Sequence, residues 1–270
     1  MTLAVGLLLG LGQASAQAPK PPPPPTRGPA PEAPQARLPS EAERDLRALE
    51  LLSRGATLPE VASILGPRVK RPDDAIRELK AGNARFFNGE SRRPELNANQ
   101  RRAQIFTQTP FAAILSCADS RVPTEIVYDQ GLGDIFTTRV AGNVVTPSTA
   151  GSLEYAVLHL KPRVVVVMGH EGCGAIHAAM SPKAQRDKEP ENVRALLDAI
   201  APAVEGMPKL EDPKARMREA VIRNVRAQTR ELRKNAVIRD ALKRGDIAVI
   251  GAFYEISSGA VDFIENVDGP

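Results

Sequence analysis

Cys117, Asp119 and Arg121 stand at alternating positions of one short stretch, and His170 and Cys173 form a His-x-x-Cys clip in another. Both cysteines of the chain and one of its three histidines lie in these two stretches. Two thiolates, an imidazole and a carboxylate make up a donor set suited to tetrahedral zinc, whereas calcium and magnesium demand more oxygen ligands. Arg121 is two positions after Asp119, close enough to take its carboxylate in a bidentate pair. If it does so, three protein ligands remain, and a water in the fourth position on zinc reaches a pKa of about 7, so that hydroxide is available at neutral pH. Asp119 therefore has two possible partners, the metal and Arg121, and the residues alone leave both open. A Cys117–Cys173 disulfide is the competing reading. A disulfide has no need of the His170 and Asp119 that accompany the two thiols.

These residues have to be delivered by the ends of strands. Phe111–Cys117 is an apolar run that predicts a buried strand. Arg163–Met168, with four consecutive valines, predicts a central one. Alternation would send Cys117 and Asp119 to the same side as the chain leaves the first strand, and His170 follows directly from the second. Further strands are expected over Ile135–Val140 and Ile247–Ala252, with a short edge strand over Gly259–Ile264. Helices are expected over Leu153–Leu160, Cys173–Met180, residues 190–205 and Ala215–Ala241, the last interrupted near Asn235. Alternating strands and helices place the chain in the α/β class, with a mostly parallel central sheet of four to five strands flanked by helices. In such sheets the site lies outside the carboxyl ends of the strands.

The remainder of the 270 residues divides into segments. Leu3–Leu11 is apolar but too short to span a bilayer, and Ala14-Ser15-Ala16 follows as a small-residue cleavage pattern, so residues 1–16 are expected to be a signal peptide. No Lys or Arg precedes the apolar run, a departure from the usual pattern. Periplasmic or secreted localisation is the corresponding expectation. Residues 17–39, with five consecutive prolines at Pro21–Pro25, read as a disordered spacer. Residues 40–72 read as a helical extension. Ser40 and Glu43 resemble a capping box, Leu46, Leu49, Leu51 and Leu52 supply an apolar face, and Thr57-Leu58-Pro59-Glu60 opens a second short helix. Residues 73–270 are left as the catalytic domain. A net charge of +4 suits a small anionic substrate; interspersed charges and aromatics at only 4% argue against nucleic acid as a partner.

Four motifs occur in order: Cys117-Ala118-Asp119-Ser120-Arg121-Val122-Pro123; Gly133-Asp134-Ile135-Phe136 with Arg139 and Ala141-Gly142-Asn143; Ser152-Leu153-Glu154-Tyr155-Ala156; and Gly169-His170 with Cys173-Gly174. Together they resemble the β-class carbonic anhydrases, over about residues 73 to 265, including Leu79, Gly82, Asn83 and Phe86 before them and Val249, Gly251, Tyr254 and Gly259-Ala260-Val261 after. The resemblance implies reversible hydration of carbon dioxide to bicarbonate and a proton by a zinc-bound hydroxide. One zinc per chain would be held by Cys117, His170 and Cys173, with Asp119 as fourth ligand or as the partner of Arg121 in a catalytic dyad. It also implies a sheet that extends across a homodimer, paired in some members into larger assemblies, with residues 73–90 clasping the neighbouring subunit. Gln108 would face the substrate from the partner chain, Phe136, Ala141 and Tyr155 would line the carbon dioxide pocket, and the Gly174 amide would face an anion. Ile114 stands where an allosteric subgroup of the family has a tryptophan, and the chain has no tryptophan, so the plant-like, non-allosteric subgroup is implied.

Other polar residues invite weaker assignments. His177, one turn after Cys173, could relay protons, although a solvated or capping role is the preferred reading. His159 reads as a helix-end residue, Glu171 as facing solvent, and Arg223–Lys234 as the solvated face of a helix. Arg139 and Asn143 brace either the site or an interface. Three further functions compete with the leading one: a related hydrolase of a small carbon–sulfur substrate, a non-catalytic zinc or bicarbonate-binding protein, and a thiol redox protein. The last lacks a Cys-x-x-Cys motif.

Overall fold

The computed structural model describes residues 41–56, 69–92, 101, 104–105 and 108–264. The expected signal peptide, the proline-rich spacer, Ser40 and the helix expected from Thr57 lie outside these residues. Helix α1 (Glu41–Ser53) and helix α2 (Pro72–Phe87) precede the sheet. Leu46 and Leu49 of α1 are exposed. By contrast α2 buries Ala75, Leu79, Gly82 and Asn83. The Asn83 amide donates to the carbonyls of Val127 and Gly259 and accepts from Val261 N–H, tying α2 to two segments far apart in sequence.

Five strands form one sheet: β1 (Ala112–Ser116), β2 (Ile135–Arg139), β3 (Val164–His170), β4 (Ala248–Tyr254) and β5 (Val261–Ile264). Their order is β2-β1-β3-β4-β5, parallel throughout except for antiparallel β5. β1 and β3 are buried along their whole length, as central parallel strands are when both faces are covered. Side-chain alternation divides the core. Ile114, Val164, Val166, Met168, Ile250 and Ala252 enter one layer with Leu79 and Tyr128, whereas Leu115, Val165, Val167 and Val249 enter the other with Leu153, Leu232 and Ile238.

The helical segments between the strands are α3 (Thr124–Val127), a 3₁₀ turn over Ala141–Asn143, and α4 (Pro147–Tyr155), followed by a π turn over Ala156–Leu160. After β3 come α5 (Gly174–Ala179), α6 (Lys183–Arg186), α7 (Glu191–Val204), α8 (Pro213–Lys234) and α9 (Ala236–Lys243). α4 begins six residues before the expected Leu153. Thr146 caps it: its hydroxyl accepts from Thr149 N–H while the Thr149 hydroxyl accepts from Thr146 N–H, and Pro147 occupies the first turn. The expected interruption near Asn235 is a boundary between two helices, where the Asn235 side chain accepts from Val237 and Ile238 N–H. β3 runs two residues beyond the expected Met168 and carries His170 as its last residue.

Candidate active site

β1 and β3 are hydrogen-bonded neighbours with Ser116 opposite Met168. Cys117 and His170 therefore leave adjacent parallel strands at the same end, and Cys173 follows at the start of α5. One donor atom from each of Cys117, His170 and Cys173 lies within 4.8 Å of the others, and all three residues are buried. The two sulfurs are 3.9 Å apart, and both cysteines are free thiols. His170 Nδ1 bonds the Glu171 carbonyl at 2.9 Å, so that nitrogen carries the proton and Nε2 keeps its lone pair. Nε2 is buried without a hydrogen-bond partner among the described residues. A buried orphaned nitrogen facing two thiols fits a soft divalent metal such as zinc.

The thiols differ. Cys117 is drawn below the ordinary thiol range, foremost by its hydrogen bond with the Cys173 thiol and then by the adjacent His170 ring and the N–H groups of Gly142 and Asp119, which outweigh burial. Cys173 is pushed up by the same contact with Cys117, by burial and by the Cys117 charge. A metal ion would remove this inequality by holding both as thiolates.

Asp119 lies beside the cluster, with Oδ2 3.9 Å from His170 Nε2. Its carboxylate is held by Arg121: Nε donates to Oδ1 at 3.0 Å, a terminal guanidinium nitrogen to Oδ2 at 2.8 Å, and the Arg121 N–H to Oδ1 at 2.9 Å. The Arg121 side chain, followed by its backbone N–H, holds the Asp119 carboxyl well below the usual carboxylate range. Of the two partners open to Asp119, the structure pairs it with Arg121.

The other expected site residues are spread around this centre. Phe136 is half-buried and Tyr155 exposed, with ring centroids 6.4 Å apart, and Tyr155 also meets the His159 ring at 4.9 Å. Ala141 is half-buried in the loop after β2, and Gln108 and Gly174 are exposed. His177 is exposed on α5.

Four residues gain roles that sequence left open or read differently. Arg139 reaches back along β2 to donate to the Cys117 carbonyl at 3.0 Å and to the Asp119 carbonyl, bracing the loop that carries both. Glu171 is not simply solvated: its carboxylate accepts from Ser257 N–H at 2.9 Å, and its N–H donates to the Tyr254 carbonyl, pinning the metal-site turn to the end of β4. The polar stretch of α8 is also not a uniformly solvated face, because Asn224 and Gln228 are buried and reach the loop after β2. A buried Asn and Gln four residues apart in a helix are visible in sequence, but nothing local distinguishes them from surface amides.

The family model described as carbonic anhydrase matches residues 112–261. Carbonic anhydrase 2 of Mycobacterium tuberculosis is 35% identical over 204 residues, spanning 73% of this chain and 96% of the relative. The chain belongs to the β-class carbonic anhydrases. A carbonic anhydrase of Mycolicibacterium smegmatis is 34% identical over 196 residues, covering 71% of this chain and 92% of that one. Among solved structures, the β-carbonic anhydrase CcaA is similar with a TM-score of 0.56 at 26% identity, covering 70% of this chain and 98% of that chain. A β-carbonic anhydrase of Sordaria macrospora, described as tetrameric, shares the fold with a TM-score of 0.55 at 24% identity, over 70% of this chain and 96% of that chain. The mostly parallel five-stranded sheet is thus the β-carbonic anhydrase fold, and the Cys117–His170–Cys173 cluster lies at the carboxyl ends of its central strands.

Proposed function

We propose that the protein hydrates carbon dioxide reversibly to bicarbonate and a proton at one zinc per chain, held by Cys117, His170 and Cys173. The observation that carries this reading is the convergence of three buried donor atoms within 4.8 Å beside an Arg121-bound carboxylate. Zinc in such a site supplies a hydroxide nucleophile near neutral pH by lowering the pKa of a coordinated water to about 7. The protein's own residues do the rest. The Glu171 carbonyl fixes the tautomer of His170, and Arg139 holds the Cys117 loop. Asp119, kept ionised by Arg121, is the acceptor that orients the nucleophile through a hydrogen bond and aims its lone pair at carbon dioxide. Phe136, Ala141 and Tyr155 are proposed to line the apolar pocket for carbon dioxide, and the Gly174 amide to face the anionic product. Ile114 is fully buried in the core where the allosteric subgroup has a tryptophan, which favours the plant-like, non-allosteric type.

Stopped-flow hydration by purified protein, with metal analysis on the same sample, tests the reading. Zinc near one per chain with rapid hydration above about pH 8 is expected, since the nucleophile is then formed. A zinc-loaded protein without hydration would overturn it.

The same reading includes a homodimer or larger homo-oligomer to which Gln108 contributes from the partner and in which residues 73–90 clasp the neighbour. It is supported by Ile126, Leu132, Tyr155 and Leu158, which are exposed on segments that flank the edge strand β2. Light scattering during size exclusion is expected to give at least twice the chain mass; a monomer would refute the assembly. Export to the periplasm or beyond is proposed from Leu3–Leu11 and Ala14-Ser15-Ala16. Among the described residues no helix is long and apolar enough to cross a membrane. Fractionation with N-terminal sequencing tests export: a mature chain starting near Gln17 is expected, and an intact Met1 in the cytosol would refute it.

A further inference from the structure

The loop after β2 touches the site through its backbone. Gly142 N–H donates to Cys117 Sγ at 3.4 Å. The conformation that aims it is unusual. Gly142 has φ +73° and Asn143 φ +44°, both in the left-handed region. A loop in this conformation has carbonyls and amides that no strand neighbour can satisfy, and left buried they would be costly.

Two side chains of α8 satisfy them. Asn224 Nδ2 donates to the Gly142 carbonyl at 2.9 Å, and Gln228 Oε1 accepts from Val145 N–H at 2.9 Å. The two amides are joined to each other, Gln228 Nε2 donating to Asn224 Oδ1 at 3.2 Å, and Gln228 Nε2 also reaches the Ala199 carbonyl of α7 at 3.3 Å. Asn224 is fully buried and Gln228 is 6% exposed. Their neighbours on the buried side of α8, Val221, Val225 and Leu232, are apolar. Two amides four residues apart on a helix lie on one face, here the face turned to the loop. The Gly142 carbonyl and N–H lie in successive peptide planes joined at its Cα, so anchoring the carbonyl from α8 restrains the left-handed conformation (φ +73°) in which the N–H is aimed at the sulfur.

A hydrogen bond to a metal-bound thiolate withdraws charge from the sulfur, and outer-shell partners of this kind set both the orientation of a ligand and the strength with which it binds. We propose that Asn224 and Gln228 are positioning residues for the Cys117 thiolate: the ladder they form holds Gly142 in its left-handed conformation, in which the Gly142 N–H tunes the metal–sulfur bond. The proposal rests on the metal reading above and extends it to residues more than fifty positions from any metal ligand, on an element that supplies no ligand.

Cobalt(II)-substituted protein provides the test, because sulfur-to-cobalt charge-transfer absorption reports directly on the thiolates. Asn224→Leu keeps the side-chain size and removes the donor to Gly142. It is expected to shift the charge-transfer band and to weaken zinc at least about tenfold in chelator competition. Leu232→Ala, also fully buried on α8 but in the layer of Val165 and Val167, is the control for general loosening and should leave the band in place. If Asn224→Leu does not fold, Gln228→Glu serves instead. It retains the acceptor for Val145 N–H, loses the link to Asn224, and is expected to shift the band in the same direction. An Asn224→Leu or Gln228→Glu protein with the wild-type band and wild-type zinc affinity would overturn the ladder while leaving the metal reading intact. Wild-type protein that shows no sulfur-to-cobalt band would instead overturn the metal reading and the ladder with it.

Discussion

Arg121 binds the Asp119 carboxylate three times, twice through its guanidinium and once through its own backbone N–H. The pair is short-range in sequence and closes a turn at the end of β1, so the carboxylate is oriented before any substrate arrives. With Oδ2 at 3.9 Å from His170 Nε2, that orientation is imposed at the edge of the metal cluster. The relationship turns a possible fourth ligand into a group positioned to accept a hydrogen bond.

Asp119→Asn is expected to retain metal and lose hydration by about 100-fold or more, the scale of a positioned proton acceptor. Stopped-flow rates and metal content measured on one preparation decide it. Full activity in this variant would remove Asp119 from the reaction.

The lowered carboxyl of Asp119 has a pH consequence with a definite sign. Its folded-state pKa lies below the unfolded value of about 3.9, so the pair's contribution to stability is complete above that value and is lost as pH falls through the folded pKa. Carboxyl NMR should show no titration of Asp119 between about pH 4 and 8. In Arg121→Ala the midpoint should move up toward the ordinary range. An Asp119 titrating normally in the wild type would refute the pairing in solution.

Removal of the metal should destabilise the fold, because Cys117, His170 and Cys173 come from β1, β3 and the start of α5 and a ligand bound only by the folded state adds to its stability. A chelator is expected to lower the thermal midpoint, and added zinc to restore it. Cys173→Ser should lower the midpoint and blunt the response to chelator. A midpoint indifferent to chelator in the zinc-loaded protein would contradict a metal at this position.

Gly142→Ala should be destabilising for two separable reasons. The residue has φ +73°, and an added Cβ would stand 2.5 Å from Ile200 Cδ1. A total of about 1–3 kcal/mol is expected in urea denaturation. Ile200→Val removes the clashing methyl, so the double variant should recover part of the loss and keep the backbone component. Complete recovery would mean that the left-handed conformation is not required.

Much of this architecture is written in local patterns. The valines of β3 and the apolar run of β1 specify strands as continuous apolar runs buried on both faces, and both motifs follow those runs directly. Asn235 ends one helix and caps the next using only its immediate neighbours, and Arg121 finds Asp119 two residues away. These features were legible because the interactions that make them are short-range. The early start of α4 was harder to see, since Thr146 and Thr149 cap each other although the following residues have no strong apolar period.

Asn224 and Gln228 mark the limit of such reading. Their partners Gly142 and Val145 lie more than eighty residues away in sequence, and an Asn and a Gln in a charged helix look like surface residues until α8 is packed against the loop after β2. Glu171 likewise acquires its bond to Ser257 only when β3 and β4 lie side by side. The identities and spacings of Cys117, Asp119, Arg121, His170 and Cys173 determined which chemistry was available. The tertiary structure decided that the Asp119–Arg121 pair stands at the edge of the metal cluster and that the Gly142 amide faces a sulfur, because those placements depend on groups brought together by the packing of β1, β3 and α8, and no local pattern encodes them.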